Sequence, residues 1–176
     1  MERNSVDVAA AVKTITAAKP DAVIQVSAYN SCAAFIREAR KVGFGGTFYN
    51  VSFVGTQALS DALGKDGAGV VVTQVVPSPY SPANAITREF SDAAKKSGGA
   101  TKPNFSSMEG YLAAKVLTEG LRRAPGKLTR DGLIQGLESI DRQQFGGFEV
   151  SFSPKNHVAS KFVELSMITG DGRIRT

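Results

Sequence analysis

Residues 23–43 read VIQVSAYNSCAAFIREARKVG. A short apolar run that suits a strand gives way to small and polar residues, then to an amphipathic run that stops at Gly43. A strand followed directly by a helix is the unit of a parallel α/β sheet, and ligands in such sheets bind outside the carboxyl ends of the strands. The junction at Ser27, Ala28, Tyr29 and Asn30 is therefore a candidate ligand contact.

The same alternation continues on both sides. Ser5 is placed to cap a helix running to Lys19, with Val8, Ala11, Val12 and Ile15 at helical spacing and Pro20 ending it. Strand AVIQV lacks polar alternation, which predicts a sheet covered on both faces. Asn30 or Ser31 is the expected cap of the next helix, whose Ala34, Phe35, Ala39 and Val42 share a face. Gly45 and Gly46 turn into strand TFYNVS at 47–52, a short helix covers Leu59 to Leu63, and the β-branched run GVVVTQVV follows at 69–76. This βαβαβ order predicts a parallel sheet with right-handed crossovers.

The pattern breaks at PSPYSP, residues 77–82, where three prolines stiffen an extended segment that reads as a crossing between domains. Helices are then expected over Asn84–Ser97, Ser106–Ala124 and Thr129–Ser139, separated first by the loop GGATKPN. The last has Thr129 as its N-cap and Leu133, Ile134 and Leu137 facing inward. GGFEVSFSP reads as a single strand, and KFVELSMITGDGRIRT as a hairpin turning at Gly170-Asp171-Gly172. Three consecutive helices with no sheet between 83 and 145 would need another sheet to cover.

Composition narrows the function classes. The chain has 176 residues, 42% hydrophobic and 21% charged, ordinary for a soluble globular protein. A net charge of +5 is spread along the chain rather than clustered, which argues against nucleic-acid binding. The single Cys32 allows no internal disulfide, and no apolar run approaches a membrane span. The opening MERNSVDVAA lacks the apolar core of a signal peptide and reads as the start of a helix inside a fold, with an initiator Met in front. Cys32 in a first helical turn could have its pKa lowered by the helix dipole, but Ala33 and Ala34 beside it point to a small buried cysteine. His157 and Cys32 lie too far apart in sequence to suggest a metal site or a catalytic triad, and no glycine-rich phosphate loop is present. No cofactor is expected, and an α/β enzyme of doubly wound type would lack its nucleophile and base. The acids Glu2 and Asp7 read as solvated charge on a helix face.

The order and spacing of five stretches resemble the branched-chain amino-acid binding protein family, the type I periplasmic substrate-binding proteins of ABC transporters. They are PDAVIQVSAYNSCAAFIREARKVG at 20–43, GTFYNVSFVG at 46–55, GVVVTQVVPSPYSPANAITREFSDA at 69–93, EGYLAAKVLTEGLRRA at 109–124 and FGGFEVSFSPKNHVASKFVELSMITGDGRI at 145–174. The resemblance runs along nearly all of this chain but over only the C-terminal half of a typical family member. It implies an α/β, type I periplasmic binding protein fold. Residues 1–76 would form a parallel-sheet segment of the C-terminal lobe, 77–145 the helical part of the N-terminal lobe, and 146–176 a return crossing with a C-terminal-lobe hairpin. The N-terminal lobe's own strands and the signal peptide would lie upstream.

The resemblance also implies a role and a set of contacts. Family members hold a small ligand, without transforming it, in a cleft between lobes that close on a hinge, and they dock on a membrane permease outside the cytoplasm. A ligand-sensing receptor domain of the same fold is the alternative. The family's contact after the strand matching AVIQV falls on Ala28 or Tyr29. Many relatives carry an acid for the ligand's ammonium group where this chain has Ser52, flanked by Phe53, which suits an aromatic or aliphatic carboxylate at least as well as an amino acid. Gln74, before the proline segment, is a further candidate. Glu109 is either a contact or a partner of a Ser106-capped helix start, and Phe105 either lines the cleft or packs in the core. A chain whose helices lack their sheet is expected to dimerise or swap elements.

Overall fold

The computed structural model of the chain describes residues 5–100 and 102–176; Glu2 and Thr101 lie outside the described residues. The chain divides into two compact units, Met1–Gln74 with Glu164–Thr176, and Val75–Val163.

The first unit contains α1 (Ala9–Ala17), β1 (Ala22–Gln25), α2 (Tyr29–Lys41), β2 (Thr47–Asn50), α3 (Thr56–Leu63), β3 (Val71–Gln74), β6 (Glu164–Ile168) and β7 (Ile174–Arg175). Its sheet runs β1-β2-β3-β6-β7, with the first three strands parallel and the last two antiparallel. Val12, Phe35, Ile36, Ala39, Leu59 and Leu63 from the helices meet Val23, Phe48, Val72 and Ile168 from the sheet in one core. Phe48 is centred there, packed against Phe44 and Phe35 with ring centroids 5.2 and 6.4 Å away.

Both β1-α2-β2 and β2-α3-β3 advance across the sheet in the same direction. Right-handed crossovers then place α2 and α3 on the same face. The opposite face carries Ile24, Tyr49, Val71 and Met167 in one continuous cross-strand row. Ile24 is 76% exposed and Val26 is 74% exposed. The expectation of a sheet covered on both faces is not met among the described residues of this unit, which cover one face, because its crossovers all wind one way.

Several local expectations are also revised. The first helix occupies Ala9–Ala17 rather than starting at Ser5, whose hydroxyl accepts the Asp7 amide at 3.0 Å in a turn. Ala28, not Asn30 or Ser31, is the N-cap of α2, and the Ser31 hydroxyl donates to the Ser5 carbonyl at 2.7 Å. Strand β2 stops at Asn50, and Ser52–Val54 forms a 3-10 turn.

The second unit holds α4 (Ala85–Lys96), α5 (Phe105–Arg123) and α6 (Arg130–Glu138), followed by the hairpin β4 (Gln143–Phe145) and β5 (Phe148–Val150). The single strand expected over GGFEVSFSP is therefore the second arm of a hairpin, turned by Gly146 and Gly147 at φ +61° and +97°. Asn104 rather than Ser106 caps α5, in a capping box with Ser107. Thr129 caps α6 through the Gly132 amide at 3.0 Å, while Ile134 faces solvent instead of the interior. Arg123 ties α5, α6 and β4 together through Glu119 at 2.7 Å, the Ser139 carbonyl at 2.8 Å and the Gln143 side chain at 3.0 Å. Leu112, Val116, Leu117, Phe148, Val150 and Phe152 line an apolar groove of about 440 Å³ in this unit. Among the described residues no helix is long and apolar enough to cross a membrane.

Close packing of α5 on α6 depends on two glycines. A Cβ at Gly136 would lie 2.1 Å from the Gly120 carbonyl oxygen and 2.9 Å from the Ala124 amide nitrogen, both backbone atoms that yield only if the helices part. Gly136→Ala is expected to destabilise the second unit by roughly 1–3 kcal/mol despite the better helix former, as overpacked cores do. Gly110→Ala in α5, where an added Cβ meets nothing within 4 Å, should stabilise by about 0.5–1 kcal/mol. Denaturant titration of the two variants checks the pair.

Candidate functional site

In the first unit, β1 and β2 end on the same rung, Gln25 opposite Asn50. Parallel neighbours lie about 4.8 Å apart, so the segments that follow them open side by side at the carboxyl edge of the sheet. That brings together Ala28 and Tyr29 after β1 with Ser52 and Phe53 after β2.

Ala28 is extended, at φ −69° and ψ 157°, and its carbonyl accepts the Cys32 amide at 3.0 Å as α2 begins. Tyr29 follows and is 38% exposed. On the other segment, the amides of Val54 and Gly55 donate to the carbonyls of Val51 and Ser52 at 3.0 and 3.2 Å. This turn buries Val54 and leaves Phe53 63% exposed. Gly55, at φ +75°, adopts the left-handed conformation that lets α3 start in a new direction. Exposed aromatic rings suit a ligand with an apolar part, and the Tyr29 hydroxyl adds a polar handle.

Gln74 is fully buried on the helix-covered face. Its Nε2 donates to the Thr56 hydroxyl at 2.8 Å and to the Ser166 hydroxyl at 2.6 Å. This corrects its expected role as a ligand contact, since all of its surface is taken up by the fold. Successive strands β1, β2 and β3 each end in a buried amide, Gln25, Asn50 and Gln74. Their carbonyl oxygens have no hydrogen-bond partner. Thr56 and Ser166 were not singled out from sequence; the signal that was present is the repeated amide closing AVIQ, TFYN and VVTQ.

The remaining two candidates belong to the second unit. Phe105 opens α5 and is buried, edge-on to Tyr80 at 5.8 Å and 87°, so of its two readings the structure shows core packing. Glu109 sits in the second turn of α5 and does not belong to its cap, which is formed by Asn104 and Ser107. Partial burial raises its carboxyl above the ordinary glutamate value.

Other titratable groups take structural roles. Cys32 is fully buried, its thiol 3.4 Å from the Ser27 carbonyl, and desolvation raises its pKa from 9.0 to about 11. The thiol is thus raised rather than lowered, as expected of a cysteine buried away from water. His157 pairs with Glu138 at 2.9 Å on the surface. Glu89 accepts from Tyr111 at 2.6 Å and from Lys115 at 2.5 Å, which lowers its pKa, while desolvation and the Glu89 hydrogen bond raise Tyr111 to about 12. Among the described residues no three His, Cys, Asp or Glu side chains cluster to hold a metal ion.

A family model described as periplasmic binding protein matches residues 1–173. The chain is similar to a Leu/Ile/Val-binding protein homolog 7 of Brucella melitensis, 28% identical over 98% of this chain and 45% of the relative. It is also similar to the crystal structure of a possible leucine/isoleucine/valine-binding protein from Rhodopirellula baltica, with TM-score 0.93, 31% identity, and coverage of 99% of this chain and 48% of that one. A substrate-binding periplasmic protein from Ralstonia solanacearum matches with TM-score 0.86 and 29% identity, over 98% of this chain and 50% of that one. The chain therefore spans about half the length of the relatives it matches, and its fold is the type I periplasmic binding protein fold.

Burial of Cys32 predicts two linked behaviours. At pH 8 native Cys32 should resist iodoacetamide and react at the free-thiol rate only in denaturant. Because the native pKa lies above 9.0, the thiol's contribution is complete below pH 9 and is lost as pH rises toward 11. Stability should fall across that window, and Cys32→Ala should remove this part of the slope; chemical denaturation at a series of pH values measures it.

Proposed function

The chain belongs to the periplasmic binding protein family, and we propose that it acts within an extracytoplasmic solute-binding component of an ABC importer. The ligand is a small amino acid or an aromatic or aliphatic carboxylate. Ala28, Tyr29, Ser52 and Phe53 contact it, with Glu109 retained as a contact from the second unit. The protein holds the ligand without transforming it, closes by hinge bending, and presents the closed form to a membrane permease in the periplasm.

The observation that carries this proposal is the pair of aromatic rings, Tyr29 and Phe53, presented to solvent at the carboxyl edge of adjacent parallel strands. Exposed aromatics on loops anchored by a rigid sheet supply contact area at little entropic cost. The relatives named for leucine, isoleucine and valine support an apolar ligand. Ser52 supports widening the ligand class, because a neutral hydroxyl does not select an ammonium group over other polar ends.

The test uses a chain extended to the full length of its relatives, screened by thermal shift with valine, leucine and phenylacetate. A true ligand at one hundred times its Kd should stabilise the native state by about 2.7 kcal/mol. Tyr29→Ala should weaken binding roughly tenfold, the loss expected for one aromatic contact. Equal shifts in the parent and the variant would place the ligand elsewhere. A second prediction concerns the bare sheet face. The 176-residue chain should self-associate through the Ile24, Tyr49, Val71 and Met167 row, and Ile24→Asp with Met167→Asp should restore a monomer by light scattering.

A further inference from the structure

We infer that Gln74 is a positioning residue that couples the two chain crossings to the Ser52–Gly55 turn. The inference deepens the solute-binding proposal, since it names what holds the segment bearing Ser52 and Phe53.

Gln74 is the last residue of the first unit before the chain leaves it, and Glu164 is the first after the chain returns. These two residues are register partners in the antiparallel pairing of β3 with β6. Both crossings therefore meet the sheet at one rung. From that rung the Gln74 side chain turns to the buried face and forks. One N–H donates to Thr56, the first residue of α3 and the immediate neighbour of Gly55. The other donates to Ser166 on the strand by which the chain returns.

The direction of these bonds is fixed by their surroundings. The Ser166 hydroxyl donates its own proton to the Val72 carbonyl at 3.1 Å. Its oxygen can then only accept from Gln74, so the amide must point its nitrogen toward the two hydroxyls. Full burial keeps water from competing for either bond. One side chain thus joins the outgoing strand, the returning strand and the start of the helix that follows the turn. A displacement at the crossing rung is passed to the turn through Thr56 rather than absorbed by solvent.

Amide hydrogen exchange on the full chain tests this without any ligand. Thr56→Val keeps the shape, removes the acceptor and leaves the Gln74–Ser166 bond in place. The amides of Val54 and Gly55, which close the turn, should exchange about five- to tenfold faster, the effect of losing one buried hydrogen bond. Amides of β1 and β2 should be unchanged, and Thr56→Ser should behave as the parent chain. Gln74→Leu should accelerate the turn and β6 together. Acceleration spread evenly over the sheet, or none at the turn, overturns the inference. Titration of the chain extended to the full length of its relatives with valine, leucine and phenylacetate runs in parallel: an extended chain showing the exchange pattern but binding none of them sinks the solute-binding proposal and leaves the coupling standing.

Discussion

The handedness of the crossovers governs the first unit. Since β1, β2 and β3 advance in one direction, right-handed connections force α2 and α3 onto a shared face. That face becomes the core around Phe48, and its closing layer is the row of buried amides. The parallel run of β1 and β2 sends the starts of α2 and α3 to the carboxyl edge of the sheet. The Ala28–Tyr29 and Ser52–Phe53 segments are neighbours for that reason, not because of any contact between their side chains. The handedness also leaves Ile24 and Val26 exposed, on the side of the sheet away from α2 and α3.

Much of this was legible in the sequence because the signals were local. Gly43, at φ +85°, ends α2 as its lack of a side chain allows. The β-branched run after Gly69 yields β3, and Thr129 caps α6. What escaped detection depended on competition between similar groups or on long-range contacts. Asn104, Ser106 and Ser107 could each cap α5, and only the capping-box geometry selects Asn104 with Ser107. Strand β4 is built from Gln143 and Gln144, which carry no strand pattern, and exists because the Gly146–Gly147 turn folds it onto β5. Ile134 has helical spacing with Leu137 but is exposed, because it lies about 200° around α6 from Gly136, the position pressed against α5.

The candidate site divides along the same line. Position relative to a strand end was enough to place Ala28, Tyr29, Ser52 and Phe53 just beyond β1 and β2. It was not enough for Gln74, because strand alternation decides which face a side chain takes. Gln74 lies two positions after Val72, so both point to the helices. An amide there must find partners inside the protein, and it finds Thr56 and Ser166, which lie 18 and 92 residues away in sequence. No reading of neighbouring residues reveals such a fork.

The unpartnered carbonyls of Gln25, Asn50 and Gln74 bear on why the amides sit there at all. Leucine or valine at these positions would avoid desolvated oxygens, each of which costs about 1–3 kcal/mol when buried unpaired. A fold selected only for stability would have little reason to repeat that cost on three adjacent strands. Directional bonds do what apolar packing does not: they fix the angle at which a strand end meets the next element. Gln74 holds Thr56 in this way, and the Asn50 amide reaches the Val71 carbonyl at 3.5 Å across the neighbouring strand. Gln74 and Asn50 thus exchange some stability for a defined geometry at the edge where the exposed aromatic rings are carried.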